Sequence, residues 1–395
     1  MTVPACPFDQ AFFADPYPVY TAWRAEAAAV PARTPDGAPV WLVSREYDVR
    51  AALADPRLSV SKRNSSGTGY RGFALPPALD ANLLNLDAPD HTRLRRLVTA
   101  AFTPRRMAAM RPMIQAETAG LLDRIAVQGG GDVLADLAFP LPLKVIGDLL
   151  GVPEAGRHDF DGWTTTLIAP DLDDPGAAVK AIGNMQAFLV HLVAEKRKRP
   201  AEDLLSALVS TKDSGDRVSE DELVSLAFLL LWTGYENPVH LIGNGVLALL
   251  RHPEQLALLR EGEVDPAQAV EELLRYDQPY QFAIRRFPIE DIELGDTTIP
   301  AGDTVLLAIN SANRDQTCFA QPDRLDLRRG HNPHLAFGHG PHHCPAAPLA
   351  RIEAEETITA LVRRFPKLRL AVSEDELRWR PSWRSHSLCA LPVEI

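Results

Sequence analysis

The stretch Phe337-Gly338-His339-Gly340-Pro341-His342-His343-Cys344-Pro345-Ala346-Ala347-Pro348-Leu349-Ala350-Arg351 decides how this chain is read. Gly338 and Gly340 permit a tight turn and a close backbone approach to something bulky. Cys344 follows, and Pro345 suits the first turn of a helix, where its missing N–H costs nothing. A cysteine just before a helix meets the positive end of the dipole and free N–H groups, which favour the thiolate. Such a thiolate suits an axial iron ligand. Two other readings stand beside it: a buried structural cysteine, and a zinc ligand near His339, His342 and His343. The histidines do not easily converge on one metal from a single turn.

Composition narrows the field. The chain has 395 residues, of which 46% are hydrophobic and 24% charged, an ordinary globular balance. Its four cysteines, Cys6, Cys318, Cys344 and Cys389, contain no Cys-x-x-Cys pair, so no disulfide scaffold or cysteine-based zinc site is expected. A net charge of −11 argues against a general nucleic-acid binder. The N-terminal residues show no basic region followed by an apolar one. The most apolar stretch, around 226–232, is shorter than the ~20 residues of a membrane helix. The expectation is a cytoplasmic protein that binds neither nucleic acid nor membrane.

Helical periodicity dominates. Helices are expected over 18–28, 47–53, 89–125 with a break at Thr103-Pro104, 142–150, 158–169, 177–199, 219–250, 266–276 and 345–365. Short strands are expected at 40–43, within 282–305 and in the tail 368–393. Ser219 followed by Glu222 is a capping box. Residues 61–80, rich in Ser, Gly and Pro, read as a lid or binding loop. No repeat or linker interrupts the pattern. The predicted fold is mainly α with a small β part, as a single domain over 1–395.

The cysteine stretch resembles the haem-binding loop of the cytochrome P450 family, F-G-x-G-x-H-x-C-x-G. It matches at Phe337, Gly338, Gly340, His342 and Cys344, and departs at Ala346, where the family usually has glycine. The resemblance implies the cytochrome P450 fold, haem b as cofactor, Cys344 as the proximal iron ligand and His342 as a propionate partner. Further segments agree in order across nearly the whole chain. Glu272-Leu273-Leu274-Arg275 resembles the family's E-x-x-R helix, a structural ion pair behind the haem loop. Ala312-Asn313-Arg314-Asp315, followed by Phe319, Pro322 and Asp326, resembles the meander, whose arginine can complete that network. His91 and Arg95, four apart on one helix face, resemble the family's propionate-binding helix. Arg286 resembles the strand arginine that meets a propionate, and Arg285 lies on the opposite strand face.

The oxygen-activating helix departs from the family. Leu231-Trp232-Thr233-Gly234-Tyr235-Glu236-Asn237-Pro238-Val239 resembles [A/G]-G-x-[D/E]-T-[T/S], with Asn237 at the threonine position and Pro238 after it. By resemblance, Gly234 makes room for oxygen and Glu236 is the acid. An asparagine amide holds water but offers no hydroxyl and does not titrate. Pro238 has no N–H for the Gly234 carbonyl and is expected to kink a continuing helix.

The resemblance places Phe73, Leu83, Leu84, Trp232, Thr233, Ala283, Ile284 and His386 around the substrate, with Asn82 and Asn85 offering polar recognition. No basic cluster marks an anionic substrate. No reductase segment is present, so electrons are expected from a ferredoxin and its reductase, docking near Arg93, Arg96, Arg105, Arg106 and Arg351. The expected protein is a monomeric haem-thiolate monooxygenase of specialised metabolism. Oxidative coupling of aromatic rings without oxygen insertion is the alternative within the family, since members lacking the threonine include such enzymes. A peroxygenase, and a non-catalytic haem carrier or gas sensor, complete the range.

Overall fold

A computed structural model describes residues 6–72, 75–168, 174–210 and 218–395. Helices form the bulk of it. The 32-residue helix Glu220–Arg251 is the spine, and its N-terminus carries the reciprocal Ser219/Glu222 capping box. Nearly all of its residues from Leu223 to Leu249 are buried, so its apolar surface is continuous rather than one-sided. Around it pack helices Pro140–Leu150, Pro175–Lys198, Pro266–Asp277 and Ala347–Arg364. One helix, Gly176–Lys198, is long and apolar enough to cross a membrane by length and composition. It packs on Glu154–Ile168 and on the spine.

The expected 89–125 segment is three helices, Asp90–Ala101, Pro104–Ala108 and Arg111–Gln128. Thr103 caps the second with its side chain, and Pro104 sits in its first turn. The 61–80 loop contains a 3-10 turn, Lys62–Asn64, and a short helix, Pro77–Asp80. Short helices at Gln10–Ala14, Leu204–Ser210 and Pro253–Glu261 were not anticipated.

The β part is small. Ala29–Arg33 pairs antiparallel with Pro39–Val43, which pairs in parallel with Val305–Leu307. Gly130–Asp132, Pro392–Glu394 and Arg369–Leu370 make a second sheet, tying the C-terminus to the middle of the chain. Leu58–Ser59 pairs with Phe287–Pro288. That pairing, together with the Arg286–Val305 bridge, fixes the backbone of Arg286.

Candidate active site

The cysteine loop is built by its glycines and closed by its own backbone. Gly338 and Gly340 have φ of 73° and 70°, the left-handed region. A Cβ on Gly340 would lie 3.1 Å from both the Ala54 Cα and the Leu53 carbonyl oxygen, so glycine also lets helix Glu46–Ala54 press on the loop. The Cys344 N–H donates to the Phe337 carbonyl at 2.9 Å. The following helix begins at Ala347, so Pro345 precedes it and Pro348 takes the first-turn position. Ala346, the N-cap, has φ −90° and ψ 7°, in the negative-φ bridge region, so no left-handed backbone demands glycine there. Burial pushes the Cys344 thiol up, against the backbone N–H groups of Ala346 and Ala347 and the charges of Arg95 and Arg351. Burial outweighs the helix end and the two arginines in setting that direction. A metal ion on the sulfur deprotonates a thiol outright.

Behind the loop lies a closed ion network. Arg275 makes a fork to Glu272, with Nε and Nη2 each 2.8 Å from a carboxylate oxygen. Its remaining donors reach the carbonyls of Asn313, Pro322 and Arg324. Glu272 also accepts from Arg329 Nε at 3.0 Å, Asn332 at 3.2 Å and the Asp326 N–H at 3.0 Å. Arg329, not Arg314, is thus the third member. Arg314 instead lies between the rings of Tyr17 and Tyr276 and donates to the Tyr276 carbonyl. Next door, Glu271 pairs with Arg351 at 2.6 Å and His334 at 3.1 Å. Burial opposes its charge, but these two partners prevail and hold it at about 2. Arg351 also covers the Phe337 ring at 4.6 Å, bracing the loop.

His91, Arg95, Arg286 and His342 come together from three parts of the chain. The His91 and His342 rings are 4.2 Å apart. Burial, with the charges of Arg286, His91 and Arg95, pushes His342 down to about 3. Burial lowers Arg286 to about 10 despite the nearby Asp87. Asp87 is occupied by the Ser59 hydroxyl at 2.5 Å and the Val60 N–H at 3.0 Å. Arg286 Nε and Nη2 and His91 Nε2 are buried with no hydrogen-bond partner among the described residues. Buried donors of this kind normally have one, and a cationic group of them beside a cysteine fits the two carboxylates of a haem. Arg285 turns the other way, donating to the Arg71 carbonyl at 3.1 Å.

The spine helix runs through Pro238 to Arg251, so the proline does not end it. Glu236 is buried, and burial lifts its carboxyl to about 7 against Arg380, Arg384 and a hydrogen bond from Trp232. Asn237 Oδ1 is buried with no hydrogen-bond partner among the described residues. The missing side chain of Gly234 faces Ile146, where a Cβ would lie 2.8 Å from two of its carbons. Close packing on Ile146 gives that glycine a structural reason as well.

The pocket expectations divide. Leu83 is buried, Leu84, Ala283 and Ile284 are half-buried, and Trp232 packs on Phe228. The Thr233 hydroxyl is turned back to the Leu229 carbonyl at 2.7 Å. His386 is a correction: Nδ1 meets Asp277 at 2.8 Å, Nε2 meets the Ala14 carbonyl at 3.4 Å, and the ring stacks on Trp379. With both nitrogens engaged, it holds the C-terminal hairpin and does not serve a substrate. Asn82 and Asn85 are likewise spent on their own turn, bonding Leu79 and Asp80. Arg380 and Arg384, beside Glu236, are a basic pair that sequence reading missed. Phe73 lies outside the described residues. Of the docking arginines, Arg93 pairs with Glu222 and Arg351 with Glu271. Arg96, Arg105 and Arg106 are exposed.

A family model described as Cytochrome P450 matches residues 267–377. The chain is 47% identical over 387 residues to the cytochrome P450 monooxygenase PikC of Streptomyces venezuelae, covering 97% of this chain and 92% of that protein. It is 40% identical over 403 residues to 6-deoxyerythronolide B hydroxylase of Saccharopolyspora erythraea, covering 100% and 99%. The tirandamycin C-bound P450 monooxygenase TamI superposes with a TM-score of 0.91 at 42% identity, covering 99% of each chain. The chain belongs to the cytochrome P450 family. It is a haem enzyme, a monooxygenase that takes electrons from redox partners and acts on a small molecule.

Proposed function

We propose that this P450 hydroxylates a natural product of polyketide or similar type. The supporting observation is the identity, across nearly the full chain, to a 6-deoxyerythronolide B hydroxylase and to a monooxygenase whose structure holds tirandamycin C. One domain over 1–395 carries the activity, as a cytoplasmic monomer. The cofactor is haem b, in keeping with the lack of a Cys-x-x-Cys-His attachment run.

Cys344 is the iron ligand, and His91, Arg95, Arg286 and His342 hold the propionates. Phe337, Gly338 and Ala346 shape the loop. Bound haem supplies the iron at which dioxygen is reduced and the substrate oxidised. Glu236 holds a proton on a buried carboxyl that is raised to about 7, near the operating range of a general acid. Asn237 positions water. Leu83, Leu84, Trp232, Ala283 and Ile284 supply apolar contact. Ferredoxin and its reductase supply electrons at the exposed Arg105 and Arg106, whose helix packs on Ala347–Arg364.

Asn237 in place of threonine favours one second reading, oxidative coupling of aromatic rings. A screen for ligand-induced spectral shifts, followed by turnover with ferredoxin and reductase, separates the outcomes. Hydroxylation adds one oxygen atom to a macrolide-like hit, and coupling removes two hydrogens from an aromatic one. Hits confined to simple fatty acids overturn the natural-product reading.

A further inference from the structure

We propose that His240 is a positioning residue that anchors a buried water between Glu236 and Asn237, with Asn244 extending the same hydrated track. The inference rests on the haem-thiolate reading above. Asn237, His240 and Asn244 stand at i, i+3 and i+7 of the spine helix, so they share one face. Glu236 is four residues before His240 and borders that face.

Each of the three carries a buried polar atom with no hydrogen-bond partner among the described residues: Asn237 Oδ1, His240 Nδ1 and Asn244 Oδ1. His240 and Asn244 are each 1% exposed. Pro238, inside this helix, has no N–H to offer the Gly234 carbonyl. The amide nitrogen of Asn244 is fixed on the His386 carbonyl at 2.8 Å. Three such buried polar atoms along one helix face are costly when dry, and ordered water making two to four bonds is the usual remedy.

The chemistry of His240 suits the role. Burial, with Arg380 nearby, pushes its imidazole down to about 3, so the ring is neutral at working pH. A neutral imidazole donates from one nitrogen and accepts at the other. Those are the two capacities of the missing threonine hydroxyl, and Asn237 has no hydroxyl. The ring is otherwise held edge-on by Phe139, with centroids 6.3 Å apart at 83°. The charge of Arg380 acts on both Glu236 and His240, so the acid and the imidazole share one nearby cation.

The test is a crystal structure of the haem-loaded protein at a resolution that shows ordered water. Water within hydrogen-bond distance of His240 Nδ1 and of Asn237 Oδ1 is expected. A dry His240 Nδ1 overturns the proposal. His240→Leu should lose that water and raise peroxide release per reducing equivalent by roughly tenfold, less than the full worth of a proton donor because Glu236 remains. His240→Asn, which keeps an acceptor and a donor, should recover most of the coupling. Equal coupling in wild type and His240→Leu contradicts the role. Thermal unfolding and the ferrous–CO spectrum check that each variant folds and holds haem. A wild type without the thiolate-type spectrum would instead overturn the haem-thiolate reading itself.

Discussion

Arg275 and Arg286 are almost equally buried, at 1% and 2% exposed, yet their donors fare oppositely. Arg275 spends Nε, Nη1 and Nη2 on Glu272 and three carbonyls. Arg286 leaves Nε and Nη2 unused, with two lowered histidines beside it. The first cluster is electrostatically closed and belongs to the fold. The second is an incomplete cationic cradle, which is how a protein prepares a place for an anionic cofactor. The same contrast holds between the loop's back side, where Glu271 is fully paired, and the distal helix, where Asn237 and His240 are not.

The sharpest way to break this contrast is to remove each arginine in turn. Arg275→Met takes away the fork on Glu272 and the donor for the carbonyls of Asn313, Pro322 and Arg324, and should cost about 3–5 kcal/mol of folding stability even though Arg329 still faces Glu272. Denaturant unfolding should show a large loss or no folded protein. Arg286→Met should leave the haem-free protein as stable as wild type or more so, since it removes a buried charge with unused donors. Its haem affinity should fall roughly 10- to 100-fold, the worth of one or two charged hydrogen bonds, measured by haem transfer to an acceptor protein. Equal effects on folding from the two substitutions would erase the distinction.

A smaller effect comes from Glu353, 1% exposed on the helix after Cys344, with neither carboxylate oxygen partnered among the described residues. Burial raises its carboxyl from 4.5 to about 8. The native state thus holds a proton that the unfolded state has released between those values, so stability falls as pH rises through that window. Glu353→Gln should remove this decline and raise the unfolding midpoint above pH 8. No difference from wild type there would mean that the carboxyl is served by groups outside the described contacts. Smallest of all, charge reversal of Arg105 and Arg106 should slow ferredoxin reduction severalfold at low salt and little at high salt.

The cysteine loop, the Glu272–Arg275 pair and the His91 helix were legible because each is written in local spacing. Arg329 was not, since it reaches Glu272 only after the intervening meander folds back. His386 misled because its residue type suggests chemistry while Asp277 and Ala14 occupy both nitrogens. Gly234 fits its motif, but its local sequence does not show that an added side chain would meet Ile146, from a helix nearly ninety residues earlier. Glu353 did leave a signal: it falls in line with buried Leu349 and Thr357, i−4 and i+4, where a charge is out of place. The parallel pairing of Pro39–Val43 with Val305–Leu307 left none, because nothing in either segment names its partner.

Everything proposed for the site turns on one sulfur. The ferrous–CO difference spectrum of the wild type and of Cys344→Ser tests it directly. The wild type should give the thiolate-type band, and Cys344→Ser should lose it while still taking up haem through Arg286 and His91. A thiolate-type band that persists in Cys344→Ser would assign the ligand elsewhere and contradict the account.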